Sequence, residues 1–189
     1  MGGFLLFQQS PMPIKLTNRK GPTRFVAYVA TSIDGRISRA FKKLPDWTSP
    51  EDKTFLSKSL AKADALIVGR NTYSAASKSL RKRKTFVLTS RVQNAVRRGL
   101  VTFINPANVA IKEQLTDFKT VAILGGGSAY CYMLENGLLD ELFVTIEPLV
   151  FGNGQPMFAG GTKATRLSLE SVRRLNGQGT LLIHYTINQ

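Results

Sequence analysis

The sequence contains very little cysteine, histidine or tryptophan, with one residue of each among 189. A single cysteine, Cys131, excludes an internal disulfide and fits a reducing compartment, so a cytoplasmic location is expected. A single histidine excludes a metal site built from several histidines, and the carboxylates form no cluster that would replace them. No apolar run approaches the ~18 residues of a membrane-spanning helix, and the opening GGFLLF lacks the preceding basic region of a secretory signal. The sequence therefore predicts neither a metal site nor a membrane span.

Acidic residues are also scarce, with 12 against 26 lysines and arginines and a formal net charge of +14. Basic pairs and runs are spread along the chain, at 19–20, 36–43, 81–84, 97–98 and 173–174. Such a surface attracts polyanions, either nucleic acid or a phosphorylated cofactor or substrate, and a basic solvated surface without such a ligand is the alternative that stays open. Aromatic residues do not alternate with the basic runs as single-strand binders need, so nucleic acid is the weaker of these alternatives.

The length and the apolar content of 43% fit one domain with a sizeable core. Residues 1–23 contain no acidic residue and several proline-containing turns. We expect them to form a flexible N-terminal arm, followed by one domain over residues 24–189.

From Arg24 onward, β-rich apolar runs alternate with segments typical of helices. Strands are predicted at 24–31, 64–68, 84–88, 100–104, 120–124 and 141–147. Helices are predicted at 50–62, 107–117 and 129–136, and a short helix is expected to follow the segment 69–73 and to end at about residue 80. Two further strands, 167–173 and 179–187, are expected to pair antiparallel around Asn176-Gly177. This order predicts an α/β fold: a three-layer α/β/α sandwich with a mostly parallel central sheet and an antiparallel C-terminal edge.

Three consecutive glycines, Gly125, Gly126 and Gly127, interrupt an apolar strand and lead into a predicted helix. We refer to residues 125–127 as the glycine corner. Ser128 is the expected N-cap, and backbone N–H groups at such a helix start commonly bind phosphate. A tight strand-to-helix turn without a ligand is the alternative that these glycines leave open.

Polar, glycine-bearing or cationic segments follow four of the predicted strands: 32–35, 69–72, 89–91 and 125–128. In sheets of this class, ligands bind at the carboxyl ends of the strands, which share one edge. The sequence therefore predicts one binding site where these four segments converge.

The same segments, in this order, resemble the dihydrofolate reductase-like superfamily, and most of all the C-terminal reductase domain of the riboflavin-biosynthesis deaminase/reductase and its stand-alone relatives. The matching pieces are VATSIDGRIS (29–38), PDWTSPED (45–52), ADALIVGRNTY (63–73), VLTSR (87–91), AILGGGSAY (122–130), LLDELFVTIEPLVFGNGQPMF (138–158) and LLIHY (181–185). The resemblance covers nearly everything from residue 24 to residue 185 and implies the same fold.

The resemblance also implies NADPH as the hydride donor. It assigns the cofactor's phosphates to a helix start at Gly69, Arg70 and Thr72, and the adenosine ribose with its 2′-phosphate to Thr89, Ser90 and Arg91. It assigns the pyrophosphate to Gly125, Gly126, Gly127, Ser128 and Ala129, and the nicotinamide side to Ala30, Ile33, Asp34 and Gly35. The arginines fit these roles because a guanidinium makes charge-assisted bonds to phosphate.

Trp47, Pro50 and Asp52 match the spacing at which dihydrofolate reductases place the carboxylate that anchors the pteridine and assists its protonation. The resemblance makes Asp52 the expected catalytic acid and substrate-binding residue, and Trp47 a wall of the substrate pocket. Two alternatives stay open. Acids are common in the first turn of any helix because of its dipole, and a lone tryptophan can simply belong to the core.

The expected function is therefore an NADPH-dependent reductase of a pterin, a pyrimidine or a related heterocycle, as in riboflavin and folate pathways, and the resemblance implies a homodimer. Thr72 is followed by Tyr73-Ser74 where riboflavin reductases usually carry an acidic segment, so the substrate stays open. The alternative function is a non-catalytic descendant of the same fold that binds a nucleotide or nucleic acid.

Overall fold

The computed structural model describes residues 22–39, 45–160 and 163–188. Most of the predicted arm, residues 1–23, lies outside these ranges, so its flexibility and the boundary at residue 24 stay predictions. Within the described part, Thr23 already contacts the body of the protein, because its hydroxyl donates a hydrogen bond to the Leu115 carbonyl at 2.9 Å.

Eleven strands and three α-helices make up the described chain. In chain order they are β1 (Arg24–Thr31), β2 (Arg36–Ser38), α1 (Pro50–Ala61), β3 (Ala65–Gly69), α2 (Arg70–Leu80), β4 (Thr85–Leu88), β5 (Ala95–Arg98), β6 (Val101–Ile104), β7 (Thr120–Ile123), α3 (Gly127–Glu135), β8 (Glu141–Ile146), β9 (Gln155–Pro156), β10 (Leu167–Arg174) and β11 (Leu181–Ile187). A short 3₁₀ turn lies at Glu113–Leu115.

Nine of the strands form one sheet in the order β10-β11-β8-β1-β7-β3-β4-β6-β5. The six consecutive strands from β8 to β6 in this order are parallel to one another. The β10–β11 hairpin continues the sheet antiparallel beyond β8, and β5 does so beyond β6. The predicted α/β fold, with its mostly parallel sheet and antiparallel C-terminal edge, is confirmed. The remaining two strands, β2 and β9, pair as a separate ribbon.

The core lies on both faces of the sheet, as a parallel sheet requires. In β3, Leu66 and Val68 pack with the cluster that includes Leu80 of α2. Ile67, between them, faces the opposite cluster, together with Met133 of α3. All of these side chains are almost fully buried, and burial of each stabilises the fold by about 1.5–3 kcal/mol.

Two sequence-based expectations about local structure are wrong. The helix predicted at 107–117 is reduced to the 3₁₀ turn, because the Asn105 side chain accepts a hydrogen bond from the Ala107 N–H and stabilises a turn instead. Its buried residues Ile111 and Leu115 have helical spacing, which produced the misleading pattern. Ser128 is not the N-cap of the following helix, since α3 begins at Gly127 with Gly126 as its cap.

Glycine is required at the glycine corner for steric reasons. Gly125 has a φ of 83°, and a Cβ there would lie 2.6 Å from the ring of Tyr130. That ring is held in place because the Tyr130 hydroxyl donates a 2.6 Å hydrogen bond to the Tyr28 carbonyl. A Cβ on Gly127 would lie 2.8 Å from the Pro156 carbonyl oxygen and from the Ala159 Cβ. The corner can therefore pack against α3 and the β9 segment only without side chains at Gly125 and Gly127.

Substitution Gly125→Ala is expected to lower the free energy of unfolding by about 2 kcal/mol or more, because left-handed backbone and overpacking each cost about 1–3 kcal/mol. Urea denaturation followed by circular dichroism measures this. Gly177→Ala is the control, since its Cβ would meet nothing within 4 Å, and we expect it to change stability by less than about 0.5 kcal/mol. Equal stability of the two variants would show that the corner tolerates a side chain.

Candidate active site

A cavity of about 1430 Å³ lies at the carboxyl ends of the parallel strands. Twelve of the residues that the sequence singled out line it: Ala30, Asp52, Gly69, Arg70, Thr72, Thr89, Ser90, Arg91, Gly126, Gly127, Ser128 and Ala129. Three of the four predicted strand-end segments, 69–72, 89–91 and the glycine corner with Ser128, therefore meet at one cavity. The fourth, 32–35, lies outside its lining.

Two helices begin side by side at this cavity. The Gly69 N–H donates to the Gly125 carbonyl at 2.6 Å, which joins the start of α2 to the glycine corner, where α3 begins. Neither helix has a side-chain N-cap, so the N–H groups of both first turns lack the usual capping acceptor. The positive ends of two helix dipoles therefore meet at one place, which is a favourable environment for anions.

Two arginines add positive charge to the same side of the cavity. Arg70 is the first residue of α2, and Arg91 follows the end of β4. The turn that presents Arg91 is stabilised by the buried Thr89, whose hydroxyl accepts a hydrogen bond from the Arg91 N–H at 3.2 Å. Together with the helix starts, the arginines form a site that suits a ligand with more than one phosphate group.

A buried carboxyl group lies on another wall of the cavity. Asp52 is in the first turn of α1, which begins at the N-cap Ser49, and only 7% of Asp52 is exposed. Burial raises the pKa of its carboxyl group above the ordinary range, and the nearby Glu147 raises it further. Hydrogen bonds from the side chains of Thr145 and Thr48, and the charge of Lys53, oppose this increase.

Aromatic rings surround this part of the cavity. Tyr28 stacks on Phe143 with ring centroids 5.3 Å apart, and Phe55 packs edge-on against Tyr28 at 6.0 Å. All three rings line the cavity, as does Asp52. The arrangement is suited to a flat ring whose edge carries N–H donors for a carboxylate.

Five of the expected site residues do not line the cavity: Ile33, Asp34, Gly35, Trp47 and Gly125. Asp34 instead joins two loops, because its carboxylate accepts hydrogen bonds from the Ser32 hydroxyl at 2.6 Å and from the N–H groups of Phe151 and Gly152. These hydrogen bonds lower the pKa of Asp34, and the bond from Ser32 has the largest effect, before that from Phe151. Trp47 packs edge-on against Phe151, with centroids 4.9 Å apart.

The structure also reveals lining residues that the sequence did not indicate. Asn105, Pro106 and Ala107 line the cavity from the loop that was expected to begin a helix. Thr145, which hydrogen-bonds to Asp52, belongs to the strand ELFVTI and is 2% exposed. The single hydroxyl in this largely apolar strand is the sequence signal that indicates Thr145, since a buried hydroxyl needs a hydrogen-bond partner.

Among the described residues, no three His, Cys, Asp or Glu side chains lie close enough together to hold a metal ion. In the same part of the chain, none of the helices is both long and apolar enough to cross a lipid bilayer.

Comparison with known proteins shows what this chain is similar to. The family model for dihydrofolate reductase matches residues 25–152. The uncharacterized protein YwjB of Bacillus subtilis is 29% identical over 170 residues, which span 85% of this chain and 95% of YwjB.

Two solved structures show the same fold. RibD of Acinetobacter baumannii superposes with a TM-score of 0.73 at 20% identity, over 90% of this chain and 59% of that one. Dihydrofolate reductase of Enterococcus faecalis, complexed with NADP(H), gives a TM-score of 0.62 at 22% identity, over 88% of this chain and 97% of that one.

The raised pKa of Asp52 leads to a prediction about stability and pH. The folded protein binds this proton more tightly than the unfolded chain does. The contribution of Asp52 to the free energy of unfolding therefore falls as the pH rises from the ordinary aspartate range through the folded pKa. An asparagine side chain at this position does not titrate. We therefore expect Asp52→Asn to gain stability relative to the wild type as the pH rises through this window, as measured by urea denaturation at a series of pH values. A stability difference that is independent of pH would contradict the raised pKa.

Proposed function

We propose that this chain, which belongs to the dihydrofolate reductase family because that family's model matches residues 25–152, transfers hydride from NADPH to a pterin, a pyrimidine or a related heterocycle. The observation that carries the proposal is the division of one cavity into two chemically different parts. Two helix starts and two arginines form one part, and a buried carboxyl group among aromatic rings forms the other.

The cavity volume supports a site for two ligands. A pocket for one small molecule usually has about 300–1,000 Å³, and this cavity has about 1430 Å³. A dinucleotide and a heterocycle together account for the additional space.

The donor set of the cationic part fits NADPH. The first-turn N–H groups of α2 and α3 would bind the pyrophosphate, with Arg70 beside them. Arg91, with Ser90 beside it, would bind the 2′-phosphate, because a guanidinium fork matches phosphate oxygens. This assignment makes Arg91 the residue that distinguishes NADPH from NADH.

The acidic part fits the substrate. Asp52, oriented by the Thr145 and Thr48 side chains, would accept hydrogen bonds from ring N–H groups and hold a proton for the ring nitrogen. Its raised pKa keeps that proton bound closer to neutral pH than an ordinary aspartate would. NADPH supplies the hydride, and the rings of Tyr28, Phe55 and Phe143 hold the heterocycle in place.

Substitution Arg91→Ala is expected to raise the Kd for NADPH about tenfold, or about 1.4 kcal/mol, and to leave the Kd for NADH nearly unchanged. Isothermal titration calorimetry with each nucleotide measures both constants. Arg97→Ala is the matched control, because Arg97 is an exposed arginine on β5 whose guanidinium donates to the Gly99 carbonyl at 3.1 Å, away from the cavity lining.

The outcomes separate the parts of the proposal. Equal losses for NADPH and NADH in Arg91→Ala would contradict the 2′-phosphate role. An absence of binding of either nucleotide to the wild type would contradict the NADPH cofactor itself. In that case the exposed cations on the edge strands, including Arg98 of β5 and Arg174 of β10, would favour the alternative of a polyanion-binding protein. Its signature is affinity for random-sequence DNA that falls steeply with salt.

A homodimer and a cytoplasmic location belong to the same proposal. Light scattering on the purified protein tests the assembly: a mass near 41.6 kDa, twice the 20.8 kDa of one chain, is expected, and a mass of 20.8 kDa contradicts it.

A further inference from the structure

Glu147 is a second buried acid close to Asp52, and the reductase chemistry described above gives it no role. It follows the end of β8 and is 4% exposed. One carboxylate oxygen accepts a hydrogen bond from the Ser49 N–H at 2.7 Å, and the other accepts one from the Thr180 hydroxyl at 2.6 Å. A buried carboxylate is costly unless it is hydrogen-bonded, so these two contacts account for its position.

The first contact connects Glu147 to the helix that carries Asp52. Ser49 is the N-cap of α1, and its hydroxyl accepts a hydrogen bond from the Asp52 N–H at 3.3 Å. Glu147 therefore holds the backbone of the cap, and the cap holds the backbone of Asp52. Thr145, two residues before Glu147, hydrogen-bonds to the Asp52 side chain. One short segment of β8 and its end thus fixes both the backbone and the carboxyl group of Asp52.

The second contact connects the same point to the sheet edge. Thr180, which is 1% exposed, precedes β11 and accepts a 2.9 Å hydrogen bond from the Asn176 amide. The Asn176 amide also donates to Glu51 of α1 at 3.1 Å. The turn between β10 and β11 is therefore attached to the start of α1 through Glu147 and Glu51.

We propose that Glu147 is a positioning residue for the catalytic acid: its carboxylate fixes the start of α1 between β8 and the β10–β11 turn and places a second negative charge near Asp52. The inference rests on the proposed function only in treating Asp52 as the acid. The contacts of Glu147 are independent of any ligand.

The effect of the Glu147 charge is on the pKa of Asp52, which another nearby charged group also influences. Lys53, on the same helix, lowers the pKa of Asp52, and Glu147, beyond β8, raises it in addition to the larger effect of burial. From β1, the titratable Tyr28 lines the same cavity, and Glu51 precedes Asp52 on α1. Removal of the Glu147 charge should therefore move the titration of Asp52 to lower pH.

Two substitutions separate the charge from the hydrogen bonds. Glu147→Gln removes the charge and keeps an oxygen that can accept the Ser49 N–H. Glu147→Ala removes both. Glu51→Gln is the matched control, because it neutralises an acid next to Asp52 in the first turn of α1. Glu51 is also linked to the β10–β11 turn, since it accepts a hydrogen bond from the Asn176 amide.

The measurements are the carbon-13 NMR titration of the Asp52 carboxyl group, assigned with Asp52→Asn, and hydrogen exchange at the Ser49 amide. We expect the Asp52 titration midpoint to fall in Glu147→Gln while Ser49 exchange stays near the wild-type rate. In Glu147→Ala we expect Ser49 to exchange about tenfold faster or more, since a bond to a charged group is lost. In Glu51→Gln both readings should stay at their wild-type values.

An unchanged Asp52 midpoint in Glu147→Gln, or an equal shift in Glu51→Gln, would overturn the role of the charge. Unchanged Ser49 exchange in Glu147→Ala would overturn the positioning role. If Glu147→Ala fails to fold, Thr180→Val replaces it and removes only one hydrogen bond from the carboxylate; faster Ser49 exchange supports the proposal and unchanged exchange opposes it. These measurements need no nucleotide, so a failure here is distinct from a failure to bind NADPH.

Discussion

The hydrogen bond between the Gly69 N–H and the Gly125 carbonyl is the contact on which the cavity depends. It joins the ends of two neighbouring parallel strands, β3 and β7, at the point where each chain turns into a helix. Parallel strands run in one direction, so their carboxyl ends and the helix starts that follow must share one edge of the sheet. A Cβ on Gly125 or Gly127 would overlap Tyr130, Pro156 or Ala159, so these two glycines let the corner pack against α3 and the β9 segment. The hydrogen bond to Gly69 then places the start of α2 beside the start of α3, with the positive ends of both helix dipoles at the cavity.

The acidic part of the cavity depends on a different set of contacts. Asp52 lies on α1, and α1 and α3 pack on opposite faces of the sheet. Thr145 of β8 hydrogen-bonds to the Asp52 side chain, and Glu147 is linked to the Asp52 backbone through Ser49. Two buried carboxylates so close together lower stability unless their hydrogen bonds are complete. Both groups form hydrogen bonds with neighbouring polar groups. The raised pKa of Asp52 reflects the free-energy cost of burial that these bonds do not offset.

The sequence predicted the fold well where apolar runs are buried on both faces. The first strand was expected at residues 24–31, and β1 has those bounds, because the pattern RFVAYVAT needs no distant partner to be recognised. The same reasoning missed β5, whose four residues AVRR are all exposed and form a strand only through pairing with β6. It also placed a helix at 107–117, where the Asn105 side chain stabilises a turn. Thr145 was missed for a similar reason, since its partner Asp52 is distant in sequence.

The net charge of +14 attracts any polyanion, so charge alone does not distinguish a dinucleotide from nucleic acid. The distribution of charge within the cavity does. A nucleic acid strand carries one phosphate per nucleotide along its whole length, and a strand that filled this cavity would bring phosphate toward the carboxyl group of Asp52. NADPH carries its phosphates at the central pyrophosphate and on the adenosine ribose, and its nicotinamide ring, beyond the pyrophosphate, carries an uncharged carboxamide. This arrangement of charge matches a cavity with Arg70, Arg91 and two helix starts on one side and an acid among aromatic rings on the other, which supports the proposed dinucleotide over nucleic acid.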